Sequence, residues 1–197
     1  REAHGLDAEL VTALDEALEV ARKARRSGDV RAFLALLAEA ERNGPRRIAL
    51  LRELGRERLA PPVDLDGAIE AASEALALAS DDLSLIHELA TVLLARATRA
   101  RGTDGGRADL ARASDLLVEL ARRLPDDEAE PFLATALDLV PTHPVALSLF
   151  ESSARAARRP DELAHRWLTA LRESPDDARA TIHRRRLASL YVAHDRL

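Results

Sequence analysis

The chain has 197 residues, enough for one domain with a sizeable core or for one continuous stack of repeats. Hydrophobic residues make up 47% of it but aromatics only 3%, so a core must be built mainly from Leu and Ala, which suits close-packed helices and disfavours a β-sandwich. The formal net charge is −5 and there is no Cys, which weighs against a nucleic-acid binder and excludes disulfides and thiolate metal sites.

Apolar residues recur at three- and four-residue spacing along the chain, and strand-like alternation is absent. Breakers cut this pattern at Ser27-Gly28-Asp29, Asn43-Gly44-Pro45, Ala60-Pro61-Pro62, Ser80-Asp81-Asp82, Gly102 to Gly106, Pro125-Asp126-Asp127, Pro141 to Pro144, Arg159-Pro160-Asp161 and Pro175-Asp176-Asp177. Between them the spacing predicts ten helices, over 7–26, 29–43, 45–59, 65–79, 82–100, 107–124, 127–140, 144–157, 160–173 and 177–195. Ser, Asp and Thr at the breaks are placed to cap the next helix, and Pro fits its first turn. The links are short, so neighbouring helices run antiparallel. No stretch approaches the roughly 20 apolar residues needed to cross a bilayer. The helical pattern runs up to both ends, so the chain reads as part of a longer protein. Lys23 is the single lysine, a bias expected of GC-rich bacterial coding. The compartment stays open, with the cytoplasm preferred.

A period is visible. Ala136-Leu137-Asp138-Leu139-Val140-Pro141 returns 34 residues later as Ala170-Leu171-Arg172-Glu173-Ser174-Pro175. Ala75 to Ser80, followed by Asp81-Asp82, is an earlier version. A Leu followed by a small residue recurs as Leu54-Gly55, Leu89-Ala90 and Leu187-Ala188, with Tyr191 four residues beyond the last. This set resembles the tetratricopeptide repeat, over most of residues 45–197 and more weakly over 7–43. The resemblance implies an all-α fold of antiparallel hairpins stacked into a right-handed superhelix, an α-solenoid, read here as one domain over 1–197. The phase is irregular near 101–141, where an insertion surrounds Gly102 to Gly106 and residues 126–141 supply one helix in place of two.

Nothing in the sequence builds an active site or calls for a cofactor. His87-Glu88 starts a zinc-protease helix motif, but Thr91 stands where its second His belongs. His183 and His194 share one helix face but lie about 16 Å apart, too far to share an ion. No Gly-Lys-Ser/Thr follows the Gly102 to Arg107 segment, so it reads as a flexible connector and not as a phosphate loop. Asp126-Asp127 reads as a helix cap, and Trp167 and Tyr191 as packing aromatics. Arg184, Arg185 and Arg186 point in different directions and make no single patch.

One surface stands out. Taking a packed residue of each first helix as reference, positions −2, +2 and +5 lie within about 60° of one another on the opposite face. In the tetratricopeptide family this face lines a concave groove. The sets are Leu18, Arg22 and Arg25 (from Val20); Arg52, Arg56 and Leu59 (from Leu54); His87, Thr91 and Leu94 (from Leu89); Ser148, Ser152 and Arg155 (from Phe150); and Arg185, Ser189 and Val192 (from Leu187). They hold six Arg, one His and no acid, against about two Arg and two or three acids expected from overall composition. The reading is a basic groove formed by Arg22, Arg25, Arg52, Arg56, His87, Arg155 and Arg185, suited to an acidic peptide or helix of a partner protein. The chaperone-tail branch of the family clamps a terminal carboxylate with Lys and Asn. Here Lys23 and Asn43 stand alone, which speaks against that role. The expected function is a non-catalytic protein-interaction scaffold. It has no nucleic-acid partner and no membrane insertion, and self-association is open to it. The alternative is a regulatory sensor domain that binds a small peptide or ligand and controls an attached effector.

Overall fold

The computed structural model describes residues 2–42, 44–173 and 180–194. They form ten α-helices: α1 (Glu2–Lys23), α2 (Ser27–Ala40), α3 (Gly44–Leu59), α4 (Leu65–Leu78), α5 (Leu83–Arg99), α6 (Asp104–Ala121), α7 (Asp126–Leu139), α8 (Pro144–Ala156), α9 (Pro160–Glu173) and α10 (Ala180–His194). Each predicted helix is present. Asn43 and the Pro175-Asp176-Asp177 break lie outside the described residues.

The helix starts are chemically explicit. Asp64 accepts the Gly67 amide at 2.9 Å, Asp82 accepts those of Ser84 and Leu85, and Thr103 accepts that of Gly106 at 3.0 Å. Each supplies an acceptor to an amide that has no partner within the helix. His143 does the same for α8 with its Nδ1, which accepts the Ala146 amide at 3.2 Å. Its Nε2 therefore carries the proton and donates to Asp115 at 2.9 Å. Asp126 and Asp127 are not caps. Pro125 occupies the cap position of α7, and the two acids sit in the first turn, where they face the positive end of the helix dipole. Gly105 and Gly106 are not part of a flexible connector either. They belong to the first turn of α6, because Thr103 starts that helix three residues earlier than the glycines suggested. Gly102, with φ +85°, makes the left-handed turn before it.

Packing groups the helices into two units, Arg1–Arg99 and Ala100–Leu197, holding α1–α5 and α6–α10. Within each, every helix packs against the next in the chain. The first unit buries Leu18, Val30, Leu34, Leu37, Leu51, Leu54 and Leu85 together with Ala71 and Ala75. The second buries Leu117, Leu133, Leu137, Leu147, Phe150, Leu163 and Trp167. Burying each large side chain stabilises the fold by about 1.5–3 kcal/mol. The alanines set the spacing. Ala75 and Ala136 are fully buried, and the Ser114 hydroxyl donates to the Ala136 carbonyl at 3.1 Å across the α6–α7 contact. Only a methyl fits between helices at such places, which explains a core of Ala and Leu with few aromatics.

Two expected packing positions differ. Trp167 is wholly buried, as its spacing implied, but Tyr191 is 48% exposed. The inner stripe of α10 runs through Ala180, His183, Leu187 and Leu190, and Tyr191 falls one step beyond it. In α1 the reference residue is Leu18, 3% exposed, and not Val20, 66% exposed. The buried stripe there is Leu14, Leu18 and Ala21, so the register of this helix is shifted by two residues.

Replacing Ala75 or Ala136 by Leu is expected to cost about 1–3 kcal/mol in urea unfolding, because the added volume must push two helices apart. Gly55→Ala and Gly67→Ala are expected to differ in sign. A methyl on Gly55 meets the Ala68 carbonyl at an ordinary 3.8 Å, so the change raises stability by up to about 1 kcal/mol through helix propensity. A methyl on Gly67 would lie 2.3 Å from the capping carboxylate of Asp64, so the same change lowers stability.

Candidate functional site

The seven basic positions divide between the two units. Arg22, Arg25, Arg52, Arg56 and His87 belong to the first, and Arg155 and Arg185 to the second. Correcting the α1 register replaces Leu18, Arg22 and Arg25 in the −2, +2, +5 set by Glu16, Val20 and Lys23. Arg25 lies at the corner between α1 and α2. Its φ is +54°, its amide donates to the Arg22 carbonyl at 3.0 Å, and the Arg26 amide donates to the Ala21 carbonyl at 3.0 Å. This is a Schellman-type helix end with Arg in the left-handed position.

Arg22, Arg52 and Arg56 already have carboxylate partners. Arg22 is bonded to Glu53 of α3 and, at 2.6 Å, to Glu19 of its own helix. Arg52 of α3 is bonded to Glu88 of α5 and lies 3.9 Å from Asp82, while the more exposed Arg56 stands 3.5 Å from the same Glu88. The Glu53 carboxylate, with Glu19 second, raises Arg22 above its ordinary pKa, and Glu88 does so for Arg52. Charge on this face is therefore locally balanced. Glu53 and Glu88 sit one residue before the packed Leu54 and Leu89, just outside the positions compared in the sequence, whereas Glu19 follows the packed Leu18. That recurrence was readable, as was the separation of 31 residues between Arg22 and Glu53 and of 36 between Arg52 and Glu88, each close to one repeat.

Arg47–Glu74 and Arg96–Asp66 join the consecutive pairs α3–α4 and α4–α5, while other ion pairs join several helices to the next but one. Arg46 pairs with Asp15, Arg166 with Asp138, Arg159 with Glu130, and Arg186 with Glu151 at 2.9 Å. Arg155 shares Glu151 with Arg186, at 3.0 Å. Arg185 is exposed on α10. His87 and Thr91 are exposed on α5, and the Thr91 hydroxyl donates to the His87 carbonyl at 2.9 Å.

A cleft of about 390 Å³ in the second unit is lined by Glu130, Ala134, Phe150, Glu162, His165 and Arg166, among others. Its charges also serve packing. Arg159 binds both Glu130 and Glu162, and the Arg166 guanidinium lies 5.6 Å from the Phe150 ring centre. Among the described residues, no group of three or more His, Asp or Glu could hold a metal ion, and no helix is long and apolar enough to cross a membrane. The side chain of His194 lies outside the described residues.

Two outcomes follow from this geometry. Arg25→Gly is expected to raise unfolding stability by about 1 kcal/mol, since glycine adopts the left-handed conformation without the Cβ clash. The Arg159 hydrogen bond, with help from Ser153, holds Glu130 below the ordinary carboxylate range. A carboxylate lowered in the folded state stabilises above its unfolded pKa and loses that contribution as pH falls through the folded one. Glu130→Gln is therefore expected to lower Tm at pH 7, with the difference from wild type closing in acid, below the ordinary carboxylate range.

No protein-family model matches the chain, and no curated protein matches it. Solved structures similar to it include TTC0263, a thermophilic TPR protein of Thermus thermophilus, at 23% identity over 91% of this chain and 99% of that one, with a TM-score of 0.40. The MamA protein is similar at 15% identity over 87% and 96% of the two chains, with a TM-score of 0.39. A tetratricopeptide repeat protein from Parabacteroides merdae is similar at 16% identity over 92% and 72%, with a TM-score of 0.39. The described residues are built from α-helices, and the solved structures similar to the chain include tetratricopeptide repeat proteins.

Proposed function

We propose that the chain is a non-catalytic protein-interaction scaffold, and that its first unit takes an acidic helix or extended segment of a partner protein. The observation that carries this reading is the set Arg22, Arg52 and Arg56, linked through Glu53 and Glu88 along α1, α3 and α5, with His87 and Thr91 exposed beside them. A partner carboxylate would exchange with Glu53 or Glu88 and not meet an unpaired cation. The Arg22–Glu53 pair is exposed and the Arg52–Glu88 pair half-buried, and ion pairs this open to water are worth about 1 kcal/mol or less, so the exchange costs little. Arg offers a planar fork that can hold an internal and an external carboxylate in turn. Arg25 contributes charge only at the edge of this face. Arg155 and Arg185 would serve a partner of the second unit.

The test is fluorescence anisotropy of a labelled acidic helical peptide, with a basic peptide of equal length as control. Arg52→Glu with Arg56→Glu is expected to weaken acidic-peptide binding about tenfold or more, a loss of about 1.4 kcal/mol. Glu88→Gln is expected to tighten it, because the internal competitor loses its charge. Added salt is expected to weaken it. Unchanged affinity in the Arg double variant, or preference for the basic peptide, would overturn the reading.

A further inference from the structure

We propose that His143 is a pH-sensitive cap of α8, which holds the first turn of that helix near neutrality and releases it in mild acid. The device lies in the second unit and does not depend on the face formed by Arg22, Arg52 and Arg56.

Both ring nitrogens of His143 are committed. Nδ1 accepts the Ala146 amide at 3.2 Å, and Nε2 donates to Asp115 of α6 at 2.9 Å. Ala146 is fully buried, so its amide has no water to turn to when the ring lets go. A second proton can enter the ring only at Nδ1. There it turns the acceptor into a donor aimed at another donor. It also sets a positive charge at the N-terminus of α8, where the helix dipole disfavours one. Asp115 works the other way, because its carboxylate attracts a charged ring. The Asp115 side chain is 73% exposed, and attraction through that much water is weak, so the cap outweighs it. On the elements around the ring the other charges are engaged elsewhere. One turn to either side of Asp115 on α6, Arg112 has contacts of its own and Glu119 pairs with Arg123 at 2.7 Å. In the last turn of α7, Asp138 is held by Arg166. Pro141 and Thr142 before the ring are uncharged, as are Pro144 to Phe150 after it. Histidine is the side chain that gains its charge just below neutrality. The capping ring resists a proton that the unfolded chain accepts. The cap's contribution is therefore complete above that range and is lost as the pH falls through it. The turn it holds carries the buried Ala146 and Leu147, so its release loosens the packing of α8.

The experiment is thermal unfolding of the 197-residue chain between about pH 7.5 and pH 5.5, beside His143→Asn and Asp115→Asn. Asn caps a helix through an amide oxygen that does not titrate, so His143→Asn removes the switch and keeps the cap. Over this range the wild type is expected to lose about 2–4 °C of Tm relative to His143→Asn. Asp115→Asn is expected to lose more than the wild type, because nothing then favours the charged ring. A second measurement needs no variant. Nitrogen NMR of the wild-type imidazole is expected to show Nδ1 without a proton at the higher pH, and the Ala146 amide is expected to lose hydrogen-exchange protection at the lower one. A Tm difference between wild type and His143→Asn that does not change with pH, or a wild type that gains on the variant in acid, would overturn the proposal. So would a smaller acid loss in Asp115→Asn than in the wild type, a proton on Nδ1 at the higher pH, or protection of Ala146 that is the same at both.

Discussion

Every helix in the interior of this fold has to be covered by neighbours. A helix whose apolar residues face both the preceding and the following helix cannot bury them in a single hairpin, so its stability depends on serial stacking. Ala and Leu are the residues that make such stacking close. Leu54 and Leu89 fill the space between helices, and the fully buried Ala75 and Ala136 mark where only a methyl fits. Larger aromatics are largely excluded by this spacing, although α9 buries Trp167 completely.

The charged residues follow from the same geometry. Once neighbouring helices are joined by apolar contact, alternate helices lie side by side on the surface. Arg is long enough to bridge them, and a carboxylate about one repeat away accepts it. Each bridge is weak alone, since most are partly solvated. Their regular recurrence nevertheless fixes which polar groups line each face and leaves the arginines in shallow, exchangeable pairs. This links the packing of the scaffold to the chemistry it offers a partner. The Arg-rich composition of the chain suits the same purpose, because only Arg provides a planar fork matched to bridging carboxylates.

Much of the fold was legible in the sequence, because helix boundaries are written in local chemistry. Asp64, Asp82 and Thr103 cap helices whose positions a three- and four-residue apolar period had already indicated. Two kinds of feature were less legible. The register of α1 depends on which of two apolar residues two positions apart faces inward, and a hydrophobic pattern does not separate Leu18 from Val20. Tyr191 raised the same difficulty in α10, since an aromatic at helical spacing does not by itself say on which side of the inner stripe it falls. The basic face was legible only in part. Comparing positions two and five residues from each packed residue selected Arg22, Arg52 and Arg56 but stepped over Glu19, Glu53 and Glu88. Net charge along one helix face does not reveal pairing with the helix after next.

The central claim is that Arg22, Arg52 and Arg56 pass from internal carboxylates to those of a partner. Side-chain nitrogen NMR of the arginines, recorded during titration with an acidic helical peptide, tests this most directly. The account predicts that the Nε signals of Arg22, Arg52 and Arg56 move together and saturate together, while those of Arg159 and Arg166 stay in place. Stationary signals for the first three, or movement confined to Arg159 and Arg166, would contradict it.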